Sequence, residues 1–259
     1  MINTTAARQR MSCLAAAYAL SAGLAVVPIS SIQAAEKSPA MPTVSSVSQT
    51  LTIRQQAIPL IAATMAISDM PRLDAALDQG LDAGLTVSEA KEVLVQLYAY
   101  VGFPRSLNAL GQLMKVLDAR KKRSIEDNPG SEPSHPIPTG DALLAAGKAN
   151  QTQIAGAPVQ GPLFDFAPVI NQYLQVHLFG DIFERDNLDW QSRELATVGA
   201  LAATQGVEAQ LRSHLAASLR IGLSAGQLRH VAQVLADHGN ADAANHITVA
   251  LDTAGQPSR

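Results

Sequence analysis

The chemistry in this sequence concentrates in one stretch, RELATVGALAATQGVEAQLRSH, residues 193–214. Glu194 stands near one end and His214 at the other, each in an otherwise apolar helical pattern, with no cysteine between them. Glu194 falls on the same helical face as Val198 and Leu201, so its carboxyl is expected to be partly desolvated. His214, on the face of Leu211, could approach it from the next helix. A carboxyl withdrawn from water beside an imidazole is equipped for general acid or base work. The same two residues could equally form a buried pair that only keeps a helical bundle satisfied. Spacing alone does not choose between the two.

A second group lies in QLYAYVGFPRSLNAL, residues 96–110. Tyr98, Tyr100, Arg105 and Asn108 would make a polar wall with one cation, able to hold a carboxylate through a charge-assisted hydrogen bond. An arginine there could also be structural or interfacial. The corresponding stretch of the second half, ADHGNADAANH, offers His238 and His246 but has neither that arginine nor the proline. The expectation is a composite pocket: Glu194 and His214 from the second half, with His238, facing Tyr98, Tyr100, Arg105 and Asn108 from the first half of the same or a neighbouring chain. The positions of the first half equivalent to Glu194 and His214 hold Ala57 and Ala76, so it cannot duplicate the pair.

Other chemistries find no support. The histidines (His135, His177, His214, His230, His238, His246) form no HExxH pairing, and Gly239 and Asn240 should end the helix that could align His230 with His238, so no metal is expected. There is no phosphate-cradling glycine loop and no GxSxG elbow, and no cofactor is implied.

The elements that must position these residues read as helices nearly throughout, and the fold class is all-α, with no sustained strand-like alternation. Arg8 and Arg10 precede an apolar run from Met11 to Ile29, and small residues follow at Ala34 and Ala35; residues 1–35 read as a secretory signal and 36–48 as a polar linker. The protein is expected to be periplasmic or secreted, with no membrane association after cleavage. Cys13, the one cysteine of the chain, lies inside that signal, which excludes disulfides, cysteine nucleophiles and thiolate metal sites from the mature protein. A helical unit at 49–125, a Pro/Gly-rich linker at 126–160 and a second helical unit at 161–254 follow.

The two units read as a pseudo-duplicated tandem. LTIRQQAIPLIAATMA (51–66) sets over LDWQSRELATVGALAA (188–203), and the punctuation recurs. Gly84 stops a helix and Thr86 with Glu89 caps the next; Gly222, Ser224 and Gln227 repeat that arrangement. The helices that follow carry apolar stripes, Ala90, Val93, Leu94, Leu97 and Val101 in one and Leu228, Val231, Ala232 and Leu235 in the other, which serve as core or subunit contact. The run Arg120–Arg123 reads as a solvated helix end. A net charge of −3 with interspersed signs leaves no surface to track phosphates, which argues against nucleic acid.

RELATVGALAA, LRSHLAASLRIGLS and VLVQLYAYVGFPRSLNAL together resemble the carboxymuconolactone decarboxylase family, which also includes the thiol peroxidase alkyl hydroperoxidase D. The resemblance spans about residues 50–252 as two units. It implies an all-α fold, a homo-oligomer (for tandem units a trimer), and cofactor-independent decarboxylation or proton transfer on a small-molecule carboxylate or lactone. Glu194 and His214 match the glutamate and histidine of the peroxidase branch, while Val207 and Gln210 stand where its cysteines would be. A dithiol cycle cannot run without sulfur, so peroxidase activity is rejected. The competing expectation is a non-catalytic helical scaffold that oligomerises and holds a small apolar acid.

Overall fold

The computed structural model describes residues 48–254; the expected signal and nearly all of the polar stretch after it lie outside the described residues. In chain order the helices are α1 (Ile53–Ala66), α2 (Met70–Asp82), α3 (Val87–Gln96), α4 (Tyr98–Val101), α5 (Phe103–Lys122), α6 (Gly140–Ala155), α7 (Pro162–Phe166) and α8 (Pro168–Tyr173). A π-helical segment (Leu174–Ile182) follows, and then α9 (Trp190–Ala203), α10 (Glu208–Arg220), α11 (Ala225–Asp237) and α12 (Ala241–Ala254). The fold is all-α.

Two helices make the centre. α1 starts at a reciprocal capping box between Thr52 and Gln55, and all its residues from Ala57 to Ala66 are buried. α9 starts at Asp189, whose carboxylate accepts the Ser192 N–H, and is buried from Ser192 to Ala202. A helix with no polar face left belongs in a core, and these two cover each other more extensively than any other pair. Small residues make the approach possible. A Cβ on Gly199 would stand 2.6 Å from the Pro59 carbonyl oxygen, so the crossing exists only because that atom is missing.

α2 packs on α1, α10 on α9, α3 and α2 on α5, and α11 on α12. The apolar residues of both halves meet in a single cluster, with Ile58, Ile61, Leu77 and Leu94 from the first and Leu195, Val198, Leu228 and Leu235 from the second. The described residues accordingly form one compact unit rather than two cores joined by a tether.

The capping signals predicted from spacing form as expected. Thr86 and Glu89 close a capping box on α3, and Ser224 and Gln227 close one on α11. Gly84 (φ 92°) and Gly222 (φ 102°) end the helices before them in the left-handed region. Two expectations are corrected. The stretch read as linker to residue 160 is non-helical only up to Thr139; α6 then forms and buries Leu143, Gly147, Gln151 and Ile154 on one face, a spacing that the neighbouring prolines and glycines mask. Arg120 is not solvated. Its side chain is 3% exposed and bonds Asp78, Asp82 and Asp127 at 2.8–2.9 Å. Burial works against its charge, and the three carboxylates outweigh that cost, so it holds its proton more firmly than usual. Lys121, Lys122 and Arg123 remain exposed.

The aromatic stretch between the halves divides. Leu178, Phe179, Ile182 and Phe183 form a satellite cluster with Ile154 and Ala217, while Leu163, Phe166, Val169, Ile170 and Tyr173 stay exposed.

The crossing of α1 and α9 makes a stability prediction. Gly199→Ala forces the Pro59 backbone away and should cost about 1–3 kcal/mol, whereas Gly111→Ala, with nothing near its Cβ, should be neutral or stabilise by up to about 1 kcal/mol. Urea unfolding of the two variants beside the parent measures both.

Candidate functional site

α9 turns two neighbouring ionisable residues, about 100° apart around its axis, to different partners. Arg193 points to the first half and Glu194 to α10. The Glu194 carboxyl is fully buried, and its Oε2 lies 2.8 Å from Nδ1 of His214, whose side chain is 16% exposed. Oε1 of Glu194 has no hydrogen-bond partner. Glu194 therefore backs the imidazole from the interior while the imidazole reaches toward the surface.

Tyr100 closes a third side. Its ring meets His214 edge-on, with centroids 5.3 Å apart and planes at 79°. Its hydroxyl is buried without a partner. Burial first, and then the charge of Glu194, push the hydroxyl far above the ordinary tyrosine range, with the nearby Thr197 and Arg193 acting weakly the other way. The phenol thus stays protonated and remains a donor.

Arg193, 0% exposed, is held by Glu92 and Gln96 of the first half and by the Arg185 carbonyl just before α9. Its Nη2 donates to Glu92 Oε1 at 3.0 Å and to the Arg185 carbonyl at 2.6 Å; its Nη1 donates to Gln96 Oε1 at 3.0 Å. Phe183 lies under the guanidinium at 5.6 Å. Burial weakens its hold on its proton, and Glu92 only partly restores it. Glu92 also accepts both hydrogen bonds that Arg185 Nε makes, at 2.9 and 3.0 Å. Burial alone would raise the Glu92 carboxyl; Arg185 and Arg193 more than offset this and hold it below its ordinary range.

The remaining predicted residues lie apart from the pair. Tyr98 stacks on Phe103 at 4.1 Å and leans on His177 at 5.5 Å, so it faces away from Tyr100's partners. Arg105 is exposed and donates to its own helix at the Val101 carbonyl, 3.0 Å away. Asn108 is exposed. His238 is exposed and its ring donates to the Val234 carbonyl. Within one chain, then, the expected composite pocket reduces to Glu194, His214 and Tyr100. Three open depressions on the surface are lined by other residues, one of them between Trp190, Gln191, Arg220 and Gly222.

The other histidines have structural partners: His230 accepts the Leu51 N–H, His246 bonds the Ala202 carbonyl, and His177 bonds Asp181. Among the described residues no group of three or more His, Cys, Asp or Glu could hold a metal ion, and no helix is long and apolar enough to cross a membrane. Val207 stands at the N-terminal boundary of α10 without a side-chain hydrogen bond and packs on the core, and Gln210 is exposed.

The pair sits on two consecutive helices, α9 and α10, followed by α11 and α12, and that order can be compared with known families. Residues 168–252 match the Carboxymuconolactone decarboxylase family. The match contains Glu194, His214 and Arg193 but not Tyr100, Gln96 or Glu92, which come from the part of the chain before it. No curated protein matches the chain.

Sequence reasoning missed Arg193, Glu92, Gln96, Arg185 and Thr197. A signal was present: Glu92, Gln96 and Tyr100 recur at helical spacing beside the stripe of Val93 and Leu97, which places polar groups where an apolar face begins.

Because the folded carboxyl of Glu92 is depressed, its contribution to stability is present above the ordinary value of about 4.5 and is lost as pH falls through the lower folded value. Glu92→Gln should therefore lose roughly 3–5 kcal/mol at neutral pH by stranding two arginines, and should lose less than the parent on acidification. Melting temperature against pH, compared for the two proteins, measures this.

Proposed function

We propose that the protein transfers a proton, with or without loss of carbon dioxide, on a small carboxylated lactone or related acid, with no cofactor. The observation that carries this reading is the 2.8 Å hydrogen bond between a fully buried glutamate and a partly exposed histidine, inside the segment that matches the family. With Nδ1 engaged by Glu194, Nε2 of His214 is the nitrogen left for a guest. In the forward sense it takes a proton from a carbon beside a carbonyl, and the carboxylate behind it stabilises the imidazolium that forms. Tyr100, a protonated donor at the edge of the same ring, is suited to the oxygen on which negative charge develops.

The same reading includes an exported chain, an ancestral tandem duplication and assembly into a homo-oligomer, with the trimer as the expected form. The repeated caps and the like order of α1–α3 and α9–α11 support duplication. Assembly is supported by exposed Phe103, Leu107 and Met114 on one face of α5.

A second reading, a non-catalytic scaffold that holds a small apolar acid, is favoured by the complete burial of Glu194 and by the place of the three depressions away from it. The experiment that separates the two uses the mature protein with small lactone acids in deuterium oxide, following carbon dioxide release and exchange of the hydrogen beside the carbonyl. Turnover is expected, and His214→Gln should lower it by about 10²–10⁴-fold. Binding without turnover or exchange would replace the enzyme reading with the scaffold.

A further inference from the structure

The three open depressions differ in the charge that lines them. One carries Asp165 and no cation. Another carries Glu184, Asp186 and Asp189, and its one arginine, Arg185, is already spent on Glu92. The third, about 490 Å³, lies between the end of α6, the start of α9 and the end of α10, and is lined by Gln153, Trp190, Gln191, Arg220, Ile221 and Gly222. It carries a cation and no carboxylate. Its volume falls within the roughly 300–1,000 Å³ usual for small-molecule sites.

Arg220 makes no ion pair among the described residues, and its one hydrogen bond, from Nη1 to the Ile154 carbonyl, is long at 3.4 Å. The carbonyl end of α6 attracts the cation but leaves most of its donors unspent. Its side chain lies against Gly156, the left-handed residue (φ 83°) that ends α6; a Cβ there would stand 2.6 Å from Arg220 Nε. The guanidinium is therefore held in place by backbone shape rather than by an opposite charge. Trp190 supplies the apolar wall. It is half-buried, with its ring set against Phe183 at 6.1 Å and 61°. Gln191 beside it is fixed by a 3.1 Å hydrogen bond from Nε2 to the Ile221 carbonyl. Among the described residues neither the Trp190 indole N–H nor the exposed Gln153 amide has a hydrogen-bond partner. Unspent donors around a cation, next to a flat aromatic face, match a carboxylate carried on a planar body.

We propose that this depression binds a small carboxylate on a planar, unsaturated body, with Arg220 holding the carboxylate and Trp190 the flat face. Neither Glu194 nor His214 lines it. Arg220 follows His214 on the same helix, about 9 Å further along α10 and about 120° round it. Binding here therefore stands whether or not the pair turns a substrate over.

The test uses the full chain and benzoate as the probe, with inorganic phosphate as a charge without a planar body and benzamide as a planar body without a charge. Trp190 is the single tryptophan of the chain, so its fluorescence reports on this depression directly. Benzoate should change that emission saturably, and the two controls should bind more weakly by about tenfold or more. Arg220→Gln should weaken benzoate by about 10–100-fold. Gln153→Glu places a carboxylate on the wall without breaking a hydrogen bond; it should weaken benzoate several-fold and carries the test if the arginine variant does not fold. His214→Gln should bind benzoate as the parent does. Emission that changes without saturating, a control that binds as well as benzoate, or an Arg220→Gln variant that loses stability at the end of α6 yet binds like the parent would overturn the proposal. So would binding lost in His214→Gln and kept in Arg220→Gln, which moves the acid to the pair. Turnover, measured separately, bears on the enzyme reading alone.

Discussion

A guanidinium taken wholly out of water is the constraint around which this molecule is arranged. Isolated, Arg193 would cost several kcal/mol of lost hydration. It is tolerated because Glu92, Gln96 and the Arg185 carbonyl bond its outer nitrogens, and Glu92 is in turn held by Arg185. Each of these partners comes from outside α9. The central helix is therefore fixed in rotation by charge as well as by packing, and that rotation decides where the next residue, Glu194, must point. The alanine-rich surface of α9 would by itself permit many rotations; the arginine permits few.

The consequence is a division of labour between the halves. The second supplies Glu194 and His214, and the first supplies Glu92, Gln96 and Tyr100 around them. Ala57 and Ala76 in the first half are small because they belong to the packing of α1 and α2, where both are buried. The likeness of the two halves in helix order and capping thus coexists with a difference in chemistry. One half carries ionisable residues on its central helix, and the other carries the polar face that receives them.

Much of this was legible in the sequence, for physical reasons. Capping boxes and left-handed glycines are local, so Thr86, Ser224, Gly84 and Gly222 could be read directly. The Glu194–His214 contact follows from two apolar helical faces that must meet. The partners of Arg193 could not be read, because a charge on a buried face is indistinguishable from one on a solvated face until the helix opposite is known. Arg120 was misread for the same reason: its neighbours in sequence are exposed, and the carboxylates that bury it come from α2 and from the turn after α5. Arg105 shows the converse, since an arginine in a promising motif turned out to bond its own helix. α6 was hidden by the prolines before it.

The shared core has a bearing on how the chain is made. α1 emerges early from the ribosome with almost every side chain destined for burial, yet the surface that covers it is α9, synthesised only after most of the polypeptide. Contacts so distant along the chain form late, and exposed apolar helices invite association in the meantime. Nascent first halves therefore leave much of α1 uncovered until the second half arrives to close over it.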